Sequence, residues 1–204
     1  MTACTVILMA KAPVAGFSKT RLIPALGAEG AAALAGRLLA RAVAQALEAG
    51  LGPVELCCTP DAAHPAFRPH VAGRAGLRLS EQGSGDLGAR MARTLGRVLE
   101  VAPRALLIGT DAPGLDAAML RHAAAALATH PAVFVPAFDG GYALIGLRAP
   151  VPALFDGMTW SHAQVMQHTR DRLLAAGLDH TELPPVHDID EPADLVHLPR
   201  GWLA

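Results

Sequence analysis

Chemistry in this chain concentrates in a few short segments, each following an apolar run. The first is Met9-Ala10-Lys11-Ala12-Pro13-Val14-Ala15-Gly16-Phe17-Ser18-Lys19-Thr20-Arg21-Leu22. It carries three cations, Lys11, Lys19 and Arg21, around Gly16. A glycine lets backbone approach a ligand closely, and cations offset phosphate charge. A Walker A loop needs glycine directly before Lys-Ser/Thr, and here Phe17-Ser18 intervene. The bland alternative is a solvated cationic loop. Its position after a first apolar strand favours phosphate binding.

A second segment, Glu81-Gln82-Gly83-Ser84-Gly85-Asp86-Leu87-Gly88, satisfies the spacing G-x-G-x-x-G. The dinucleotide fingerprint belongs to the first βα turn, whereas this turn is the third. Glycines beside the Gln82 amide suit a nucleobase edge instead, or simply a flexible helix start. In the third segment, Ile108-Gly109-Thr110-Asp111-Ala112-Pro113, an acid stands at the end of an apolar strand. Such a carboxylate is costly unless it is paired or metal-bound. Asp111 is therefore a metal-ligand candidate, with capping of the next turn as the alternative. Asp139-Gly140-Gly141 is a hairpin turn, a place where substrate meets bare backbone beside Asp139, or both. Near the end, Asp188 and Asp190 are two residues apart. In extended backbone they face one side, which suits joint oxygen ligation of a hard cation. Asp190-Glu191-Pro192 also reads as a helix start. The nine histidines form no metal-spaced cluster, and only His187 lies beside the acidic pair.

These segments need elements to position them. Apolar β-rich runs predict strands at Thr5–Met9, Val54–Thr59, Leu77–Ser80, Ala105–Gly109, Val133–Pro136, Tyr142–Leu147 and Thr181–Leu183. Helical periodicity predicts helices at Glu29–Ala49, Asp86–Val101, Asp116–Thr129 and His162–Ala176, and a terminal turn follows Asp188–Asp194. Asp86 and Asp116 are the expected N-caps. Pro60–Pro69 reads as a surface connection. Continuous apolar strands between helices imply a mostly parallel sheet covered on both faces. Ligands then bind beyond the carboxyl ends of the strands.

Bulk properties narrow the classes. A chain of 204 residues, 52% hydrophobic, suits one domain with a sizeable core. Aromatics at 4% and a net charge of −1 argue against a nucleic-acid partner. Cys4, Cys57 and Cys58 lie in apolar runs, read as buried strand residues rather than a disulfide framework. Lys11 interrupts the first apolar run, so no signal peptide is expected. The apolar runs are expected to be too short or too interrupted to span a bilayer. A cytoplasmic location is the expectation, and the oligomeric state is left open.

Six blocks, taken in order, resemble a known family: MAKAPVAGFSKTRL at 9–22, GDLGARM at 85–91, IGTDAPGL at 108–115, DGGYALIGL at 139–147, LFDGMTWS at 154–161 and DIDEPADL at 188–195. Together they resemble GT-A-fold proteins of bacteria and archaea assigned as glycosyltransferases, some of them labelled arsenosugar-biosynthesis glycosyltransferases. A more distant likeness is to guanylyltransferases acting on phospholactate or the molybdenum cofactor, and to cytidylyltransferases activating sugar acids. The resemblance implies a three-layer α/β/α nucleotide-diphospho-sugar transferase fold (GT-A, Rossmann-like) over residues 1–204, with a mostly parallel mixed sheet. It implies phosphate contact for Lys19, Arg21 and Lys11, and base contact at Gln82 and Gly85. It also implies Mg²⁺ or Mn²⁺ held by Asp111 and Asp190, with Asp188 assisting. Two departures stand out: Ala112 where the family often has Ser, and His162 where Thr is usual. Both bear on the acceptor pocket.

The expected reaction is metal-assisted transfer from a nucleotide or nucleotide-sugar donor to a small-molecule acceptor. Lys19 and Arg21 would stabilise charge on the phosphates, with Gly16 shaping their loop. Asp139 or His187 would orient or deprotonate the acceptor. Glycosyl transfer leads this reading. Nucleotidyl transfer with pyrophosphate release is the alternative, and a non-catalytic nucleotide-binding module is a further one.

Overall fold

The computed structural model describes residues 3–74 and 76–202. These residues form a seven-stranded sheet: β1 (Thr5–Lys11), β2 (Val54–Thr59), β3 (Leu77–Glu81), β4 (Ala105–Ile108), β5 (Ala132–Pro136), β6 (Tyr142–Leu147) and β7 (His180–Glu182). Their spatial order is β3-β2-β1-β4-β6-β5-β7. Strands β1 to β4 run parallel, β6 is antiparallel to both β4 and β5, and β7 returns parallel to β5. The sheet is thus mostly parallel and mixed.

Alternation along β1 assigns its two faces. Val6, Leu8 and Ala10 join one core cluster with Leu39, Val43 and Ala46 of α1 (Ile23–Ala49) and Leu120 of α4 (Ala117–Ala126). Ile7 joins the opposite cluster with Met91, Leu95 and Val98 of α3 (Leu87–Leu99) and Met166 and Leu173 of α5 (Val165–Ala175). Helices cover both faces, giving the three layers the apolar strands imply. Side chains of period two on a strand can feed two cores only in this arrangement.

Several boundaries have local causes. Asp86 and Asp116 cap α3 and α4, each accepting from a backbone N–H at 2.8 Å. Within α1, Gly27 adopts φ 73°, which breaks the helix into an opening turn and a long segment. That break explains why the helical periodicity begins at Glu29. The 60–69 stretch is more ordered than a surface connection. It holds a 3-10 turn, Pro65–Phe67, that buries Phe67 completely in the core, and it runs into the short helix α2 (Arg68–Val71). Helix α5 starts at Val165, three residues later than the periodicity suggests. Cys57 and Cys58 are buried in β2, while Cys4 is buried just before β1. Burial pushes the Cys4 and Cys58 thiols up to about 12.

The segment Thr20–Ala49 is long and apolar enough, by length and composition, to cross a membrane. This corrects the expectation that every apolar run is too short. In the fold, its apolar stripe, including Leu39, Val43 and Ala46, packs on the sheet.

Candidate functional site

From β1 the chain winds outward through β2 to β3, then returns to place β4 on the other side of β1. The loops leaving β1 and β4 therefore start from adjacent strand ends and diverge, opening a crevice at the switch point. A cavity of about 590 Å³ lies there, lined by Lys11, Lys19, Arg21, Asp111, Asp139 and Asp190 among others.

The loop after β1 is tied to itself. The Ser18 hydroxyl is buried, donates to Ala12 O at 2.7 Å and accepts from Val14 N at 2.8 Å. Lys11 Nζ donates to Phe17 O at 2.6 Å. Gly16, at φ 78°, lets the chain turn so that Phe17 N and Ser18 N both reach Val14 O. Lys19 is left-handed (φ 48°, ψ 43°) just before a 3-10 turn, Thr20–Leu22. Side chains other than glycine rarely adopt that conformation, and such strain concentrates at functional sites.

Lys19 reaches two carboxylates at once. Its Nζ lies 2.8 Å from Asp111 Oδ1 and 2.7 Å from Asp190 Oδ1, with only 6% of the lysine side chain exposed. Burial pulls the ammonium pKa down, but the charges of Asp111 and Asp190, with their hydrogen bonds, more than offset this and raise it overall. Arg21 is looser, 3.7 Å from the exposed Glu191.

The C-terminal segment reaches the site by strand-like bonding. Val186 N donates to Pro136 O, and Ile189 N donates to Asp111 O at 3.0 Å. Ile189 is fully buried, so Asp188 and Asp190 on either side of it both turn toward the site. Glu191, rather than Asp190, is the N-cap of the following 3-10 turn, Pro192–His197. The backbone N–H groups of Asp190 and Glu191 both donate to Asp194 Oδ2. The Asp190 carboxylate is thus free of capping duty and faces Lys19.

A smaller cavity of about 240 Å³ shares Asp111, Asp139, Ser161 and His162 with the larger one. Its other walls include Leu87, Met91, Tyr142, Trp160, Val165 and Asp188. Burial first, then the charges of Asp139, Asp190 and Asp194, push the Asp188 carboxyl up to about 6. Both departures from the family pattern, Ala112 and His162, line this smaller cavity.

Other sequence candidates lie elsewhere. Gln82 is buried, and its amide donates to Ala10 O at 3.1 Å and Cys57 O at 3.0 Å. Both amide hydrogens thus fasten the ends of β1 and β2, and Gln82 lines neither cavity. Gly85 (φ 99°) accepts from Arg90 Nε through its carbonyl, anchoring the loop to α3, and also lines neither cavity. Gly16 is exposed and does not itself line the cavity. His187 stacks between Phe138 and His197, with ring centroids at 4.1 and 3.5 Å. At Gly140 (φ 91°) a Cβ would come 2.0 Å from Ala163 O, so its bare backbone receives the chain before α5.

Ser161 and His162 form a wall common to both cavities, and Trp160 joins them on the smaller one. Sequence reading gave His162 to the acceptor pocket but did not single out Trp160 as a wall. The available signal was Gly88, whose absent Cβ leaves room for the Trp160 indole at 2.7 Å. Trp160 Nε1 is buried there without a partner. Spacing alone does not reveal a packing across so many residues.

The donor chemistry of the site fits a divalent cation in part. Asp111 and Asp190 are half-exposed, and their Oδ1 atoms converge on one nitrogen, as two hard ligands converge on Mg²⁺. Among the described residues, no three His, Cys, Asp or Glu side chains form a ready metal cage. Mg²⁺ commonly completes its shell with water and substrate phosphate, so two carboxylates suffice.

A mixed sheet of this order, with a cationic loop facing carboxylates at its switch point, defines a nucleotide-diphospho-sugar transferase-like fold. The chain belongs to the family described as "Uncharacterized protein conserved in bacteria (DUF2064)", whose profile matches residues 42–162. It is similar to a Desulfovibrio desulfuricans G20 protein that carries the provisional description nucleotide-diphospho-sugar transferase. The two are 30% identical over 98% of this chain and 87% of that one, with a TM-score of 0.88. CMP:2-keto-3-deoxy-manno-octonic acid synthetase complexed with CTP shares the fold at 12% identity, covering 96% of each chain with a TM-score of 0.59. So does Rv0371c of Mycobacterium tuberculosis H37Rv in complex with manganese, at 19% identity, covering 97% and 98% with a TM-score of 0.55. No curated protein matches the chain.

Proposed function

We propose that this protein transfers a group from a nucleotide donor to a small acceptor, with an NDP-sugar as the leading donor. One observation carries the reading: two cavities of different chemistry meet at Asp111, Asp139, Ser161 and His162. The larger, with Lys11, Lys19 and Arg21 on its wall, suits phosphates. The smaller, walled by Leu87, Met91, Tyr142, Trp160 and Val165, suits a compact acceptor with an apolar body. The similarity to the Desulfovibrio protein supports a sugar donor. The cation-rich loop supports the second reading, nucleotidyl transfer from an NTP.

Lys11 and Arg21 attract and orient the phosphates, and Lys19 stabilises charge as it builds on them. Asp111 and Asp190 would hold Mg²⁺ or Mn²⁺, which when bound supplies Lewis-acid polarisation of a phosphate oxygen. The manganese complex of Rv0371c supports that metal class. Asp139 stands at the junction of the two cavities, and its Oδ1 accepts from Gly141 N at 2.8 Å, which fixes its orientation. It is the group placed to accept the acceptor's proton. His187, stacked between two rings, is not. Gln82, through its side-chain amide, and Gly85, through its carbonyl, hold the loop that the resemblance assigns to the base. Cytoplasmic location accords with such metabolites.

Thermal stability against a panel of NTPs and NDP-sugars, each with and without Mn²⁺, tests the proposal. A ligand at a hundred times its dissociation constant adds about 2.7 kcal/mol, a rise of several degrees at this chain length. A metal-dependent rise with one NDP-sugar, above that of the matching NTP, identifies the donor. A rise confined to an NTP, with pyrophosphate release, selects nucleotidyl transfer. No nucleotide response would remove the proposal. Asp111→Asn should lower metal-dependent turnover on the order of a hundredfold or more, with the fold intact.

A further inference from the structure

We infer that Lys19 and a divalent cation are alternative occupants of the Asp111–Asp190 pair, so that donor phosphates must draw Lys19 away before the cation binds. This inference rests on the metal-assisted reading above and adds an order of assembly to it.

For a cation held by the same two oxygens, the geometry is mutually exclusive. Lys19 Nζ is within 2.8 Å of Asp111 Oδ1 and 2.7 Å of Asp190 Oδ1, so it stands between the two oxygens. Mg²⁺ bound to the same two oxygens would sit at about 2.0–2.1 Å from each. Both positions lie in the same gap, and two positive charges this close repel strongly in a partly desolvated site. The ammonium is almost entirely shielded from water, so solvent does little to weaken its pairing. A metal ion arriving alone must break two charge-assisted bonds to a buried lysine.

Phosphates change that competition. Lys11 and Arg21 line the same cavity as Lys19, and neither is held by a carboxylate at hydrogen-bonding distance. They provide the first attraction for phosphate oxygens. A phosphate settled against them offers Lys19 a new anionic partner, which its flexible four-carbon stem can reach. Asp111 and Asp190 would then be free to hold a divalent cation, whose charge would further offset that of the phosphates. Donor and metal therefore bind with positive coupling, and by linkage each strengthens the other equally.

The test reads metal binding directly, as free Mn²⁺ by electron paramagnetic resonance, with no turnover involved. Mn²⁺ alone is titrated into wild type, Lys19→Gln and Lys19→Arg. Lys19→Gln should bind Mn²⁺ at least tenfold more tightly than wild type, because the carboxylate pair loses its resident cation. Lys19→Arg keeps the charge and should remain as weak as wild type. On the wild type itself, inorganic sulfate, a poor Mn²⁺ ligand in water, should tighten Mn²⁺ binding, and it should do so less in Lys19→Gln. That second measurement stands even if Lys19→Gln does not fold. Equal Mn²⁺ affinity in wild type and Lys19→Gln, both abolished by Asp111→Asn, would overturn the competition and leave the metal reading intact. Mn²⁺ binding that no substitution at Asp111 or Asp190 affects would overturn both.

Discussion

At the scale of single residues, the site concentrates unfavourable choices that a purely structural protein would avoid. Lys19 holds a left-handed backbone, and its buried ammonium depends on two carboxylates. Asp188 keeps a carboxyl in a partly apolar cavity beside Asp139, which raises its pKa from 3.8 to about 6. That shift has a sign in stability. In the window between those two values the folded state holds the Asp188 proton more tightly than the unfolded chain. Stability therefore falls as pH rises through the window, and the full penalty applies above about pH 6. Asp188→Asn removes the charge, so in metal-free buffer it should stabilise the protein at pH 8 by on the order of 1–2 kcal/mol. The gain should disappear near about pH 3.5, where both states carry the proton. Thermal unfolding of the two proteins at both pH values checks this, and a variant no more stable than wild type at pH 8 would refute it.

At the scale of elements, positions on the sheet follow from patterns a sequence displays, while the contacts that build the site do not. Helix α5 and strand β7 illustrate a long-range tie that spacing does not show. Arg170 grips Glu182 with two parallel bonds, Nε to Oε1 at 2.7 Å and Nη2 to Oε2 at 2.8 Å. The hydrogen bond and charge of Arg170 hold the Glu182 carboxyl below its ordinary value of 4.5. The pair is partly exposed, so solvent screens it, and Glu182→Gln should cost about 1 kcal/mol at neutral pH. The contribution is present above pH 4.5 and is lost as pH falls through the lower folded value. Melting points of wild type and Glu182→Gln should therefore differ by about 2–4 °C at pH 7 and converge in acid. A gap unchanged in acid would show that lost packing, not charge, is responsible. Legibility divides along the same line. Strands β2, β4 and β6 and the caps Asp86 and Asp116 were readable, because apolar β-rich runs and capping are local. Asp188 and Asp190, expected on one side, line the smaller and the larger cavity respectively. The helical pattern at His162 misled, because Ser161 has φ 64° and α5 waits until Val165. The Lys19–Asp190 contact joins residues 171 apart in sequence, and no periodicity encodes it. Gln82 sat in the expected loop but faced inward, because the carbonyls of Ala10 and Cys57 needed donors.

At the scale of the whole molecule, both halves of the site hang from one small satellite core. Leu22 directly follows the cationic loop, and Ile189 separates Asp188 from Asp190. Both are fully buried in a cluster with Ala31, Leu34 and Leu38 of α1, flanked by Leu195, Leu198 and Trp202. Arg37 closes the arrangement by donating to Trp202 O at 2.6 Å. The opening turn of α1, broken at Gly27, lies beside this cluster through Ile23 and Leu26. The cationic loop and the C-terminal carboxylates are thus positioned against each other by shared apolar packing, not by the sheet alone. Ile189→Ala removes the side chain at the centre of that packing and should cost about 2–4 kcal/mol. Stability loss by itself would not show coupling, so the comparison is with Leu127→Ala. Leu127 is equally buried, but in the large cluster at the far end of α4. Both variants should melt lower. Ile189→Ala should also lose most of the stabilisation conferred by Mn²⁺ with a donor nucleotide, because Asp190 no longer holds its place opposite Asp111. Leu127→Ala should keep that ligand-induced rise in full. Equal rises in the two variants would mean that the carboxylates are fixed by backbone bonds such as Ile189 N to Asp111 O, and that the satellite core only stabilises.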